Sequence, residues 1–271
     1  MKTYVINLDR APERWRRVTA AMDRTGLPYE RFAAVDGRKI ELPIAEFSQL
    51  RYRLYHGKRP NLGQIGCFLS HVAVLRRFVD EGGDHVMVCE DDIDPADDLA
   101  AVVRSAMRHH AMWDVLRLSG FHDAHPMPVT PIGNERNLVV NFTRLCGTGC
   151  YVVSRHAAQV LLQRMLPMRV PIDHAIDREW FYGLRSLAVD PLPVRQNLPE
   201  IASSIPAAER EKLPAWRRYW SVLPYRGFNE ASRVVARTKH YLRCCRSLAR
   251  QRRHDSQAAH ATATTVPLRL P

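Results

Sequence analysis

Residues 4–8, Tyr-Val-Ile-Asn-Leu, form an apolar run of strand length. Pro12 then suits the first turn of a helix in which Trp15, Val18 and Met22 recur at helical spacing. Gly26 and Pro28 stop that helix, residues 31–35 read as a second short strand, and Asp36-Gly37 turns the chain. Strand, amphipathic helix and strand in this order point to an α/β domain. A helix crossing the sheet face is the usual way for neighbouring strands to run parallel.

The same alternation continues. Residues 38–60 read as a partly helical loop. Asn61 can cap a helix running to about residue 79, with Ile65, Phe68, Leu69, Val72, Leu75 and Phe78 on its apolar stripe. Gly82-Gly83 ends it before a strand at 86–89. The pattern then predicts a helix over 96–109, a strand at 115–118, a long loop over 119–137, and strands at 138–142 and 149–153. A helix over 154–165 with Ser154 as cap, a short helix over 173–182, and strands near 187–189 and 194–196 complete it. For 271 residues this implies one large domain, 1–204, with an appendage.

Charge separates the two parts. The chain carries 40 Lys+Arg against 28 Asp+Glu, yet residues 205–271 hold 14 of the basic and 4 of the acidic side chains. The first 204 residues are close to balanced, so the basicity belongs to the C-terminal part. After a Pro-rich stretch, Phe228, Ala231, Val234, Val235, Thr238, Tyr241, Leu242, Cys245 and Leu248 recur every three to four residues among arginines. This predicts a basic amphipathic extension over 205–253 and a disordered tail over 254–271. Trp216, Arg217, Arg218, Tyr219 and Trp220, with the helix after them, suit an anionic membrane surface across 216–253. The alternative is that the apolar face packs on the domain and leaves the arginines in solvent. No nucleic-acid motif accompanies the charge, so no specific nucleic acid is expected.

No run of about 18 apolar residues occurs and the first residues lack a signal-peptide core. The vicinal pair Cys244-Cys245 fits a reducing compartment, and none of the six cysteines forms a Cys-x-x-Cys pair. A cytoplasmic protein, peripheral on the inner membrane face, is the expectation.

Residues 85–98, HVMVCEDDIDPADD, set three adjacent acids at the end of an apolar strand. Ligands of open α/β sheets bind outside the carboxyl ends of strands, and clustered carboxylates there suit a hard divalent cation. The plainer reading is a solvated strand end, and it holds for Asp94, Asp97 and Asp98, which suit a helix start. Gly63 and Gly66 open the next-door helix; close packing or anion binding would each need them. Ser70 and His71 interrupt that helix's stripe.

Four segments together resemble glycosyltransferase family 25: YVINLDRAPERW (4–15), NLGQIGCFLSH (61–71), VMVCEDDI (86–93) and GTGCYVVSRHAAQVLL (147–162), with PIDHAID (171–177) where the family has a further acidic segment. That family includes bacterial lipooligosaccharide galactosyltransferases and is similar to the collagen galactosyltransferases. The resemblance implies a GT-A-like nucleotide-binding sandwich with a mixed, mostly parallel sheet. It implies transfer of a hexose, galactose first, from a UDP-sugar to a lipopolysaccharide, lipooligosaccharide or other cell-surface glycan or glycolipid, with Mn²⁺ or Mg²⁺ and inversion at the anomeric carbon. On that basis Asp92 is the direct metal ligand, with Glu90 on metal or nucleotide and Asp91 beside them. Asn7, Leu8, Arg10, Arg14, Ser70 and His71 are the donor-binding candidates. Asp173 is the candidate general base and Asp177 its reserve. A metal-dependent nucleotidyl or phosphoryl transferase using the same acids, and a nucleic-acid binder acting through its basic tail, are the rival readings.

Overall fold

The computed structural model describes residues 1–196, 216 and 218–263. Its strands are β1 (Lys2–Asn7), β2 (Glu30–Ala33), β3 (His85–Glu90), β4 (Ile93–Pro95), β5 (Val115–Arg117), β6 (Pro126–Gly133), β7 (Arg136–Asn141), β8 (Cys150–Ser154), β9 (Ser186–Asp190) and β10 (Val194–Gln196). Eight of them form one sheet in the order β2-β1-β3-β8-β5-β9-β7-β6, and β10 pairs with β4 in a separate ribbon. β1 runs parallel to β2 and β3, and β5 to β9; β8 and β7 run against the other six. The sheet is therefore mixed, with six of its eight strands pointing the same way.

Side-chain alternation sends the strands' apolar residues to two cores. Tyr4, Ile6, Val86, Val88, Tyr151 and Val153 meet one layer of helices. That layer contains α2 (Gln49–His56), α3 (Leu62–Glu81), α5 (Arg155–Arg164) and α6 (Ile172–Ile176). Val5, Met87, Cys89, Leu116 and Val152 meet the other layer, where α1 (Pro12–Thr25) brings Val18 and Met22 and α4 (Leu99–Met107) brings Leu99 and Val102. Each such side chain contributes about 1.5–3 kcal/mol by leaving water. Local signals set the helix ends. Asn61 accepts the Gln64 N–H at 3.0 Å, Ser154 accepts that of Ala157 at 3.1 Å, and Gly26 takes the left-handed conformation (φ 65°) that ends α1.

Three expectations change. The loop over 119–137 contains β6, whose Pro126, Pro128 and Pro131 argue against a strand. An edge strand tolerates them, and β6 is the edge, with register shifts at Pro128/Thr130 and Pro131/Gly133. The segment 173–182 divides into α6 and a 3-10 turn at Glu179–Tyr182, with Asp177 between them. The C-terminal helix α7 (Leu223–Ala263) runs past residue 253; residues 197–215, 217 and 264–271 lie outside the described residues.

The helix α7 also docks by an unexpected face. Asn229, Arg233, Arg237, His240 and Cys244 are buried, while Phe228, Val235 and Leu242 are exposed. The domain surface beneath offers carboxylates and carbonyls, so arginine satisfies it and an aliphatic side chain does not. Arg237 donates to both carboxylate oxygens of Glu179, at 2.9 Å each, to Asp177 Oδ1 at 3.2 Å, and to the carbonyls of Asn141 and Thr143. Val222, just before α7, fits against Gly57, and Tyr225 stacks on Tyr55 at 4.5 Å. Among the described residues no helix is long and apolar enough to cross a membrane.

This docking makes stability sensitive to acid. Burial pushes His240 down to about 4, helped by Arg185 and opposed by Asp114. The native chain therefore binds fewer protons than the unfolded chain between the ordinary histidine pKa and about 4. Stability is highest above that window and is lost as pH falls through it. The urea midpoint should drop between about pH 7 and about pH 5, and less so in a His240→Gln chain. Equal drops in both chains would remove His240 as a cause.

Candidate active site

The carboxyl ends of β1, β2 and β3 open on a cleft of about 600 Å³. Leu8, Arg10 and Arg14 enter it from the β1–α1 connection, and Ala34 to Arg38 from the end of β2. The first turns of α3 supply Gln64 and Cys67, β3 runs out into Glu90, Asp91 and Asp92, and α6 contributes Asp173. Thr148 arrives because β8 is antiparallel to β3, with Cys150 opposite Cys89. Gln196 arrives because β10 pairs with β4, with Gln196 opposite Ile93.

Close backbone approach draws this corner together. A Cβ on Gly66 would lie 2.6 Å from the Val35 carbonyl oxygen, and one on Gly37 would lie 2.1 Å from that of Leu62. The glycine at 66 thus serves packing of α3 against the chain leaving β2. Ser70 belongs to the same joint. It accepts the Val35 N–H at 2.8 Å and donates to the Gly66 carbonyl at 2.7 Å. Its hydroxyl is engaged within the protein, while the residue also borders the cleft.

The three adjacent acids have three different surroundings. Asp91 is buried, accepts from Asn7 Nδ2 at 2.7 Å and pairs with Arg14. Burial raises its pKa; Arg14 and Asn7 hold the rise down. Asn7 is itself buried and also accepts from Arg31 at 3.0 Å, so it orients Asp91 from behind and is absent from the cleft lining.

Glu90 is held on several sides. Thr148 Oγ1 donates to its Oε1 at 2.5 Å, His71 Nε2 lies 3.3 Å from the same oxygen, and Gln196 Nε2 donates to Oε2 at 3.0 Å. The consistent tautomer has Nε2 donating to Glu90 and Nδ1 accepting from the Tyr151 hydroxyl at 2.8 Å. Burial opposes ionisation of Glu90, but His71, Thr148 and Arg14 more than offset it, so its pKa is lowered.

Asp92 differs from both. It lies 3.4 Å from Arg14 and accepts from Gln196 at 3.4 Å. Burial, then the charge of Glu90, push its pKa up to about 7. A half-buried carboxyl disfavoured as an anion by a neighbouring anion is the arrangement a divalent cation relieves. Glu90 and Asp92 are hard oxygen donors that fit Mn²⁺ or Mg²⁺. Cys67 stands within 4.8 Å of His71 and Glu90, but burial, then Glu90, raise its thiol pKa well above the ordinary value, which argues against thiolate ligation.

At the rim, Asp36 accepts from Arg38 and Arg10, and Arg38 with Arg10 holds its carboxyl well below the usual range despite some burial. Leu8, Arg10, Arg14, His71, Glu90, Asp91, Asp92 and Asp173 therefore meet in one cleft, bordered by Ser70. Asp177 does not. It is buried beneath α7, among Arg117, Arg233 and Arg237, and is corrected from reserve base to part of that ion cluster. Gln196, Thr148, Asp36 and Tyr151 were not legible as site residues. Gly149 lets Gln196 come close: a Cβ there would lie 2.6 Å from the Gln196 side chain.

The family model for glycosyltransferase family 25 (LPS biosynthesis protein) matches residues 1–176, from β1 through α6. The chain belongs to glycosyltransferase family 25. A relative from Aedes aegypti, "Glycosyltransferase 25 family member", is 30% identical over 182 residues, 64% of this chain and 30% of its own length. The chain thus spans about a third of that relative's length. The "Lacto-N-neotetraose biosynthesis glycosyltransferase LgtE" of Neisseria meningitidis is 25% identical over 214 residues, 75% of this chain and 74% of its own. Family 25 also contains rat and mouse members named probable inactive or inactive, so membership leaves turnover to be tested. Among solved structures, a glycosyltransferase involved in glycosylation of the PBCV-1 major capsid covers 74% of this chain and 94% of its own, at 11% identity and a TM-score of 0.39.

Proposed function

We propose that this family 25 chain is a metal-assisted hexosyltransferase. Its donor is a UDP-hexose, galactose first, and its acceptor a lipopolysaccharide, lipooligosaccharide or other cell-surface glycan. The observation that carries the reading is the meeting of Glu90, Asp91 and Asp92 with Arg14 in one cleft at the end of β3, where burial and the charge of Glu90 push half-buried Asp92 up to about 7. The cleft volume falls in the range of about 300–1,000 Å³ usual for small-molecule sites.

Asp92 and Glu90 would hold Mn²⁺ or Mg²⁺. When bound, the ion acts as a Lewis acid that stabilises charge on the departing diphosphate. The protein's own groups do the rest. Arg14 neutralises Asp91 and adds positive charge beside the acids. His71, Thr148 and Gln196 keep Glu90 ionised and in place. Asp173 takes the proton of the acceptor hydroxyl as oxygen bonds to the anomeric carbon and the bond to UDP breaks. Direct displacement of this kind inverts the anomeric centre and needs a single base.

A donor panel with Mn²⁺, with an EDTA control and with and without lipid-linked glycans, tests the reading through UDP release. Release of pyrophosphate instead would identify a nucleotidyl transferase, and donor binding without turnover an inactive relative. Asp173→Asn should cut transfer at least about a hundredfold with donor affinity retained, the low end for a general base. Near-normal turnover in that variant would remove the assignment.

A further inference from the structure

Two opposite faces of α7 carry opposite chemistry, in the reverse of the usual order. The stripe through Arg233, Arg237, His240 and Cys244 is buried on the domain. About half a turn round the helix, at the helical period, Phe228, Val235 and Leu242 follow one another at intervals of seven residues and stay 68%, 55% and 46% exposed. The turn before α7 adds two exposed aromatic side chains, Tyr219 and Trp220, the latter 85% exposed.

The charges beside this apolar row have one sign. Lys239, Arg243, Arg246 and Arg250 are all exposed, in the row adjoining it. Among the described side chains of α7 the one acid, Glu230, turns to Arg144 and Arg233 on the domain side. The helix cannot rotate to bury its apolar row without pulling Arg237 from Glu179 and Asp177.

We propose that the outward face of α7 and the turn before it dock on an anionic phospholipid bilayer. The headgroup boundary accepts aromatic and aliphatic side chains beneath the surface and meets arginine and lysine at lipid phosphates, so one partner satisfies both rows. A nucleic acid would account for the cations and leave the aliphatic row in water. A second copy of this face would set cations against cations.

Co-sedimentation of the full chain with vesicles tests this. Binding to vesicles containing phosphatidylglycerol should exceed binding to pure phosphatidylcholine at least about tenfold, since each cation near an anionic surface is worth about fivefold. Arg243→Gln/Arg246→Gln/Arg250→Gln should lose about a hundredfold on that scale. Trp220→Ser/Phe228→Ser/Leu242→Ser, all at exposed positions, should lose at least about tenfold even where salt has screened the charges. Circular dichroism reports whether each variant keeps its fold. Equal binding to neutral and anionic vesicles would overturn the proposal. So would an aromatic variant that binds as the wild type does, or a preference for duplex DNA over vesicles that depends on the arginines alone.

Discussion

Asp92→Asn is expected to lower hexose transfer at least about a hundredfold and to make the metal-free protein harder to unfold. A hundredfold corresponds to about 2.7 kcal/mol, within the several kcal/mol that Lewis-acid stabilisation of a leaving group supplies. The amide keeps the size of the side chain but removes its anionic oxygens. The stability gain has a different source. Glu90, Asp91 and Asp92 bring three carboxylates together, and Arg14 is the guanidinium that reaches Asp91 and Asp92. Glu90 is stabilised as an anion by its donors, which leaves the repulsion on Asp92. Removing that charge relieves like-charge repulsion in a buried setting. UDP release and urea denaturation in EDTA read the two effects separately. Loss of both activity and stability would mean that Asp92 is chiefly structural; unchanged transfer would place the chemistry elsewhere.

Arg237→Met should cost about 3–5 kcal/mol, because it leaves buried Glu179 without its cation and takes one of three guanidinium groups from Asp177. That is a large share of the roughly 5–15 kcal/mol holding a typical domain. Glu179 loses both of its bonds to this guanidinium, and the carbonyls of Asn141 and Thr143 lose theirs. The damage extends toward the cleft. Asp177 also accepts the Leu145 N–H at 3.4 Å, and Arg117, 3.9 Å from Asp177, donates to the carbonyls of Cys146 and Gly147. That loop ends in Thr148, the hydroxyl that holds Glu90. A chain of contacts through Asp177, Arg117 and the loop before Thr148 thus connects Arg237 to Glu90, although Arg237 lies on a helix that does not line the cleft. Adding Glu179→Gln to Arg237→Met should restore about 1 kcal/mol or more, since one uncompensated charge is then gone. Urea midpoints of the two single variants and the pair test this. A single Arg237→Met chain as stable as the wild type would show that the ion cluster is replaceable, as some buried pairs are.

The layered fold was legible because its signals are local. Strand-length apolar runs, helical stripes, Asn61 and Ser154 as caps and Gly26 as a stop each act within a few residues. The position of Glu90, Asp91 and Asp92 at a strand end was legible for the same reason. β6 was hidden because proline is excluded from the middle of a sheet and tolerated at its edge, and no local signal says which strand will be the edge.

What the sequence by itself determined, then, is the order of most strands and helices, β6 excepted, and the place where acids meet the sheet's carboxyl edge. Tertiary structure alone decided which partners each acid takes. Asp91 is claimed by Asn7 and Arg14, Glu90 by His71, Thr148 and Gln196, and Asp92 is left with the unfavourable charge. It also decided that Asp177 serves α7 and that this helix docks through arginines with its aromatic side outward. The reason is range. Secondary structure follows from neighbours along the chain, whereas the energy of a buried charge depends on partners that folding brings from far along it: 84 residues apart for Asn7 and Asp91, 106 for Glu90 and Gln196.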